Sequence, residues 1–430
     1  MLALLLLLAA PADTLDLTLA DAFRLALRQS PARTEASVAG TQAASRLARG
    51  IAGLLPSVSA TVGYERSTAG SGYLPDTLTP GDDWAWTGSI TLSQVVFDPQ
   101  VFAGLASGFV YNRYYRADAR ERRAKLIYDV TADYLGLLKS RLLRDVADAA
   151  LRRARENLKV VREKGRLGSA SAIDVMRAEV QESQAEIELL GAERAFAAAA
   201  EAFKATVGFE EDVAVRPVEE LAAPAGFEVS DPDSLLALIT ASNPGAALAA
   251  GASAAARLNL AAAAGRALPS ISAYWTSSYS DTAFPSGIGR WDDRDAASYG
   301  LRASFPLLDL KSYVLDLVDA NAESRRARAA ARRTALQLRS TATGAVLGYQ
   351  EARERYDYAV RNLELNHRLD DLAQEQYRLG AITLVDLLDV ETGVTRAQST
   401  RIDALCDTYI QAALVNYLLG VTEVPQEARQ

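Results

Sequence analysis

Two aspartates in the second half of the chain, Asp386 and Asp389, stand three residues apart. On a helix that spacing puts both carboxylates on one face. Adjacent acids repel rather than stabilise one another, so such a pair suits the attraction of cations. Repeated around a symmetric tube, the two would stack as carboxylate rings and make a cation-attracting constriction. A solvated helix face that complements the helix dipole is the other use of such a pair. Metal and nucleophile chemistry is poorly supplied. The chain of 430 residues holds one histidine, His367, and one cysteine, Cys406. A disulfide framework, a Cys/His zinc site and a Ser-His-Asp triad are therefore poorly supported, and no cofactor is expected. Cys406 lies in an apolar helical pattern and reads as a small buried residue. Glu and Asp pairs occur, yet no convergence of nucleophile, base and orienter can be named, so an enzyme is disfavoured. The net charge of −8, with no basic block interleaved with aromatics, argues against a nucleic-acid partner.

The acids sit just past a turn that occurs twice, as Arg166-Leu167-Gly168-Ser169-Ala170-Ser171 and Arg378-Leu379-Gly380-Ala381-Ile382-Thr383. Each places a glycine where a helix can end in a left-handed residue. Ser171-x-x-Asp174 and Thr383-x-x-Asp386 then resemble capping boxes that open a return helix, so capping alone accounts for Asp174 and Asp386 equally well. Asp389 differs. Its counterpart 212 positions earlier is Arg177, so the copies have diverged there.

The recurrence is general. Leu135-Gly136 returns as Leu347-Gly348, Glu179 as Glu391 and Gly208 as Gly420, all 212 positions on. Leu55-Pro56-Ser57-Val58 returns as Leu268-Pro269-Ser270-Ile271 after 213, and Phe97-Asp98 as Leu308-Asp309 after 211. The chain is one unit written twice. Each copy opens with a helical segment (17–54 and 233–267) that Leu-Pro ends. In 57–64, Val58, Ala60, Val62 and Tyr64 then alternate with Ser57, Ser59, Thr61 and Gly63; residues 270–279, 86–93 and 299–305 alternate in the same way. Polar loops at 67–83 and 281–296 separate the members of each pair. Four strands of about 9–11 residues, apolar on one face and small-polar on the other, fit transmembrane β-strands around a wet lumen, with Tyr64, Trp84, Trp86, Trp275, Tyr279 and Tyr299 as interfacial girdles. A soluble sandwich alternates equally well. Four strands are too few to close a barrel within one chain, so a barrel requires an oligomer.

Each strand pair leads into a helical stretch far longer than usual. Residues 101–164 contain no proline and would reach ~95 Å as one helix, which needs neighbours in a coiled-coil-like or tubular array. Residues 171–207 run back, and 312–378 and 383–419 repeat the hairpin. At the N-terminus, the apolar run 2–10 and Ala10-Pro11-Ala12 read as the core and cleavage site of a signal peptide, too short to span a membrane; no other stretch is expected to be apolar long enough to do so. The organisation is therefore a signal peptide at 1–12, a first repeat at 13–214, a Pro- and Gly-containing linker or crossover at 215–232, a second repeat at 233–420 and a tail at 421–430.

The signal sequence, the duplicated strand-pair-plus-hairpin unit, and the run Tyr377-Arg378-Leu379-Gly380 followed by Val385-Asp386-Leu387-Leu388-Asp389-Val390 resemble the TolC family of outer-membrane efflux proteins. The resemblance covers essentially the whole mature chain, and the strand-exit segments 92–98 and 303–309 are similar to the family's pattern. It implies an α+β membrane protein: a homotrimer whose chains each give four strands to a twelve-stranded barrel in outer-membrane lipid, with long helical hairpins forming a periplasmic tunnel that tapers to a closed tip. It further implies that Asp386 and Asp389 are the two aspartate rings of the gate, and that Tyr377 is held to Asp174 when the gate is closed. An arginine of the same closing network is Ile382 here, a departure from the family's hydrogen bonding. The tips Arg166, Leu167, Gly168 and Arg378, Leu379, Gly380 match the family's grooves for the tip of a periplasmic adaptor (membrane fusion) protein.

The function expected is passive conduction across the outer membrane of a Gram-negative-type bacterium. The adaptor and an inner-membrane pump, of RND, ABC or MFS type, would supply the drive in a tripartite efflux or type I secretion system. Opening would be a shear of the inner helices, chiefly 383–419. The alternative is a soluble periplasmic coiled-coil scaffold or adaptor, which accounts for the long helices but not for four strands of lipid-spanning length. Drugs, metals and proteins remain equally open as cargo.

Overall fold

Leu-Pro at 55–56 and again at 268–269 marks where helix gives way to strand, because proline removes a donor and restricts the residue before it. The computed structural model describes residues 15–66, 84–209, 213–219, 221–222, 232–281, 296–305 and 310–422. The expected signal peptide, the loop 67–83, most of the loop 281–296, the strand exit 306–309 and most of the tail lie outside the described residues, as does most of the linker.

The first copy comprises β1 (Leu15–Leu17), α1 (Leu19–Gln29), α2 (Pro31–Ala52), β2 (Ser57–Arg66), β3 (Trp84–Phe97), α3 (Pro99–Arg166) and α4 (Ala172–Val207). After β4 (Val215–Pro217), the second has α5 (Pro232–Ser242), α6 (Pro244–Gly265), β5 (Ser270–Asp281), β6 (Ala296–Ser304), α7 (Leu310–Arg378) and α8 (Leu384–Leu418). The four long helices fall close to the expected 101–164, 171–207, 312–378 and 383–419. Two expectations need correction and one gains detail. The opening helical segment of each copy is two helices, because Pro31 and Pro244 start new helices rather than continue old ones; proline is accommodated at a first helical position. The linker contains a strand, β4, which pairs in parallel with β1. And α6, 22 residues long with a mean hydropathy of 1.2 over its most apolar 18 residues, is long and apolar enough to cross a membrane by length and composition. Its apolarity comes from alanines spread along the helix rather than from a run of large side chains.

By contact, the chain divides into two compact units. One holds residues 39–116 and 248–333 and is built on a four-stranded antiparallel sheet in the order β2-β3-β5-β6. Its register sets Val58, Leu92, Trp275 and Tyr299 in one row and Ser59, Thr91, Thr276 and Ser298 in the next, so one face is apolar and the other small and polar, with Thr91 and Thr276 hydroxyls 3.1 Å apart. The apolar face is bare: Val58 is 70% exposed, Leu301 73% and Tyr299 82%. A sandwich would bury that face under a second sheet; among the described residues none covers it.

The other unit holds residues 15–38, 117–247 and 334–422 of the described chain. It has two principal apolar clusters. Leu17, Phe23, Leu126, Val130, Tyr134, Leu137, Leu138, Phe203 and Val207 form one; Ile239, Leu338, Ala342, Val346, Tyr349, Val415 and Leu418 form the other. Leu126, Val130, Tyr134, Leu137 and Phe203 stand 212 positions before Leu338, Ala342, Val346, Tyr349 and Val415, so the duplication extends to the cores. The Tyr134 hydroxyl donates to the Leu17 carbonyl at 2.9 Å and its ring meets Phe203 edge-on, which anchors β1. Arg216 on β4 closes that edge with a bidentate pair to Asp16, 2.7 Å on both arms.

Candidate functional site

Both hairpins turn as the glycine spacing predicts. Gly168 and Gly380 adopt φ of +76° and +75°, the left-handed region in which a side chain costs roughly 1–2 kcal/mol. The amides of Ser169 and Ala381 reach back to the carbonyls of Lys164 and Gln376, both at 2.8 Å, closing the ends of α3 and α7. The tip arginines fold onto their own helices, Arg166 to Glu163 at 3.1 Å and Arg378 to Glu375 at 3.5 Å. Leu167 and Leu379 instead project, 82% and 75% exposed.

Asp174 and Asp386 are capping residues. The Asp386 Oδ2 accepts from the Thr383 amide at 3.0 Å and hydroxyl at 2.6 Å, while the Asp386 amide donates to Thr383 Oγ1; Asp174 and Ser171 repeat the pattern. These bonds, the side-chain one foremost, hold both carboxyls below the usual carboxylate range, as expected for a carboxylate that accepts at a helix start. Asp386 and Asp389 are both exposed. Asp389 lines an open groove between α4 and α8, with Ile173, Met176, Val180, Val385 and Leu388, and Arg177 lines it too. The two diverged positions therefore bring opposite charges to one place.

Tyr377 sits against an apolar cluster of Leu158, Val161, Ala178 and Leu384. The Nζ of Lys164 lies 4.2 Å from its ring centre. The expected Tyr377–Asp174 hydrogen bond does not form in this structure: Asp174 is engaged with Ser171, and among the described residues the Tyr377 hydroxyl has no hydrogen-bond partner.

A ladder of polar rungs joins α3 to α8 further from the tips, and sequence reasoning did not anticipate it. Asn157 donates to Glu391 at 2.7 Å and Arg153 to Thr395 at 3.0 Å. Lys139 pairs with Asp403 at 2.9 Å and Asp407 at 3.6 Å, and Arg355 of α7 also reaches Asp407. Burial, with Asp370 nearby, raises the Glu391 carboxyl despite the Asn157 bond. The available signal was the four-residue spacing of 391 with 395 and 403 with 407 along one helix face. Cys406, beside this ladder, is fully buried, and burial pushes its thiol up to about 12, so it is no nucleophile at neutral pH.

Two long helical hairpins and a four-stranded sheet with one bare apolar face make up the fold. No protein-family model matches the chain, and none of the curated proteins does. Solved structures do. The outer membrane protein VceC of Vibrio cholerae is 18% identical with a TM-score of 0.79, over 94% of this chain and 96% of that one. The CmeC outer membrane channel of Campylobacter jejuni is 16% identical at 0.78, over 94% and 85%. The MtrE outer membrane channel of Neisseria gonorrhoeae, in its open state, is 17% identical at 0.72, over 94% and 88%. The chain has the fold of these channels, mostly helical with some strands, as the resemblance to the TolC family implied at that coarse level.

Proposed function

We propose that the protein is an outer-membrane exit duct: a homotrimer that passively conducts substrates delivered by a periplasmic adaptor and an inner-membrane pump. The observation that carries this reading is the sheet. Its Val, Leu, Trp and Tyr face is exposed in the single chain while its other face is Ser and Thr, an inside-out arrangement that water penalises and lipid rewards. Among the described residues its outer strands β2 and β6 leave one edge each without a partner. Unpaired edges are excluded from hydrocarbon. Joining β6 of one copy to β2 of the next satisfies both, and a head-to-tail ring of three copies gives twelve strands. The reading also assigns residues 1–12 to export.

Asp386 and Asp389 form the acidic gate in this reading, with Asp386 held by its cap and Asp389 at the groove that Arg177 also lines. The projecting Leu167 and Leu379, beside Arg166, Gly168, Arg378 and Gly380, are the adaptor contacts. Identical tips in both copies suit a partner that meets both hairpins. The soluble scaffold gains nothing from the structure, since it leaves the bare sheet face without a role. Detergent-extracted protein should run as a heat-dissociable trimer and insert into planar bilayers as discrete conductance steps. A monomer that is freely soluble without detergent would overturn the proposal.

A further inference from the structure

We propose that Lys164 and Tyr377 form the latch between the two hairpin tips, through the face of the aromatic ring rather than through its hydroxyl. The inference rests on the duct reading above and concerns how its gate is kept shut.

Lys164 lies in the last turn of α3 and Tyr377 in the last turn of α7, so the contact ties the outward helix of one hairpin to that of the other. Its geometry, 4.2 Å from ammonium to ring centre, is well inside the ~6 Å within which a cation is attracted to the ring face. One side of the ring rests on the apolar cluster that α3, α4 and α8 build from Leu158, Val161, Ala178 and Leu384. That support fixes the ring's orientation. Among the described residues Lys164 makes no ion pair, so the ring is the only partner its ammonium has there. The hydroxyl of Tyr377 is likewise unbonded among them, and the carboxylate that could have received it, Asp174, is committed to Ser171.

The duplication shows that the pair is specific to this cross-copy contact. At the 212-residue offset, the counterpart of Lys164 is Gln376 and that of Tyr377 is Gly165. The first copy supplies a cation with no bulk beside it, and the second supplies a ring with no cation. Gly165 is also close-packed: a Cβ there would stand 3.2 Å from Val175 Cγ2. Each half is thus complementary to the other and not to itself.

The test is single-channel open probability in planar bilayers, with the adaptor omitted. A cation–π contact at a partly exposed site is worth about threefold in an equilibrium, so three latches opening together make about 30-fold. Lys164→Gln and Tyr377→Leu should each raise open probability by that order, and the double variant should add little to either. Lys164→Arg and Tyr377→Phe should remain as closed as the parent, because each keeps its half of the contact. A Tyr377→Phe channel as open as Tyr377→Leu would transfer the latch to the hydroxyl and overturn the proposal. So would Lys164→Gln and Tyr377→Leu channels that gate like the parent. Absence of conductance from the parent and every variant would instead sink the duct reading, and the latch with it.

Discussion

Replacing Asp386 and Asp389 by asparagine separates charge from helix capping at the proposed gate. Asp386→Asn keeps an oxygen that can accept from Thr383, so the start of α8 survives while the charge goes; Asp386→Ala removes both. Both carboxylates are exposed, so the dielectric of water applies. A unit charge about 6 Å from a cation, attenuated over a Debye length of ~8 Å, enriches a monovalent cation roughly 1.7-fold. Three such charges around one ring make about fivefold, and the effect on a divalent cation is about 30-fold. Each single substitution should therefore raise the divalent concentration for half-block by an order of magnitude or more, with a smaller fall in cation selectivity. The assay is divalent block of single channels at fixed ionic strength. The depressed Asp386 carboxyl adds a pH signature. A lowered value means the charged, cap-bonded form is favoured at neutral pH and lost only as pH falls below the ordinary carboxylate range. Block that survives in Asp389→Asn should thus persist on acidification to about pH 4. Half-block unchanged in both single variants and in the double would refute the assignment of these acids to the constriction.

Four further outcomes are expected. Glu391 has a raised carboxyl, so its contribution to stability is greatest below the ordinary carboxylate range and is lost as pH rises through the raised value. Glu391→Gln, which can still accept from Asn157, should melt higher than the parent at pH 8 and equally at pH 4, and a pH-independent difference would count against it. Lys139→Met leaves Asp403 and Asp407 half-buried with, among the described residues, only the Arg355–Asp407 pair; it should cost about 2 kcal/mol by thermal unfolding followed by circular dichroism, with Lys139→Arg close to the parent. Gly208 has φ +90° and a Cβ there would lie 2.9 Å from the Gln29 carbonyl oxygen, so Gly208→Ala should cost about 1–3 kcal/mol. Gly191→Ala, mid-helix with open space around it, should gain up to ~1 kcal/mol in the same measurement.

What was legible followed from local chemistry. The absence of proline over residues 101–164 marked α3, alternation marked the strands, and Thr383-x-x-Asp386 marked a cap that the structure contains. The split at Pro31 and Pro244 was missed because proline signals a boundary without saying whether loop or new helix follows. The β1–β4 pair was illegible for a different reason: three residues are too few to show a period, and the partners lie 200 residues apart. The same holds at the tips. The resemblance paired Tyr377 with Asp174, whereas the tertiary arrangement gives the acid to a local cap and the ring to Lys164. The α3–α8 rungs depend on which helices become neighbours, and no window of sequence contains that information.

The seam between β3 and β5 constrains how the chain must fold. Thr91 and Thr276 meet across it although 185 residues separate them, and a closure of that span costs loop entropy before any pairing repays it. The β2–β3 and β5–β6 ribbons each join neighbours in sequence, so they can form early and separately. The central seam waits until α3 to α6 have folded back and delivered the second ribbon to the first. Helical hairpins first and seam afterwards is therefore the order the topology favours. Until the seam closes, each ribbon presents two unpaired edges rather than one beside an apolar face, the state most exposed to aggregation.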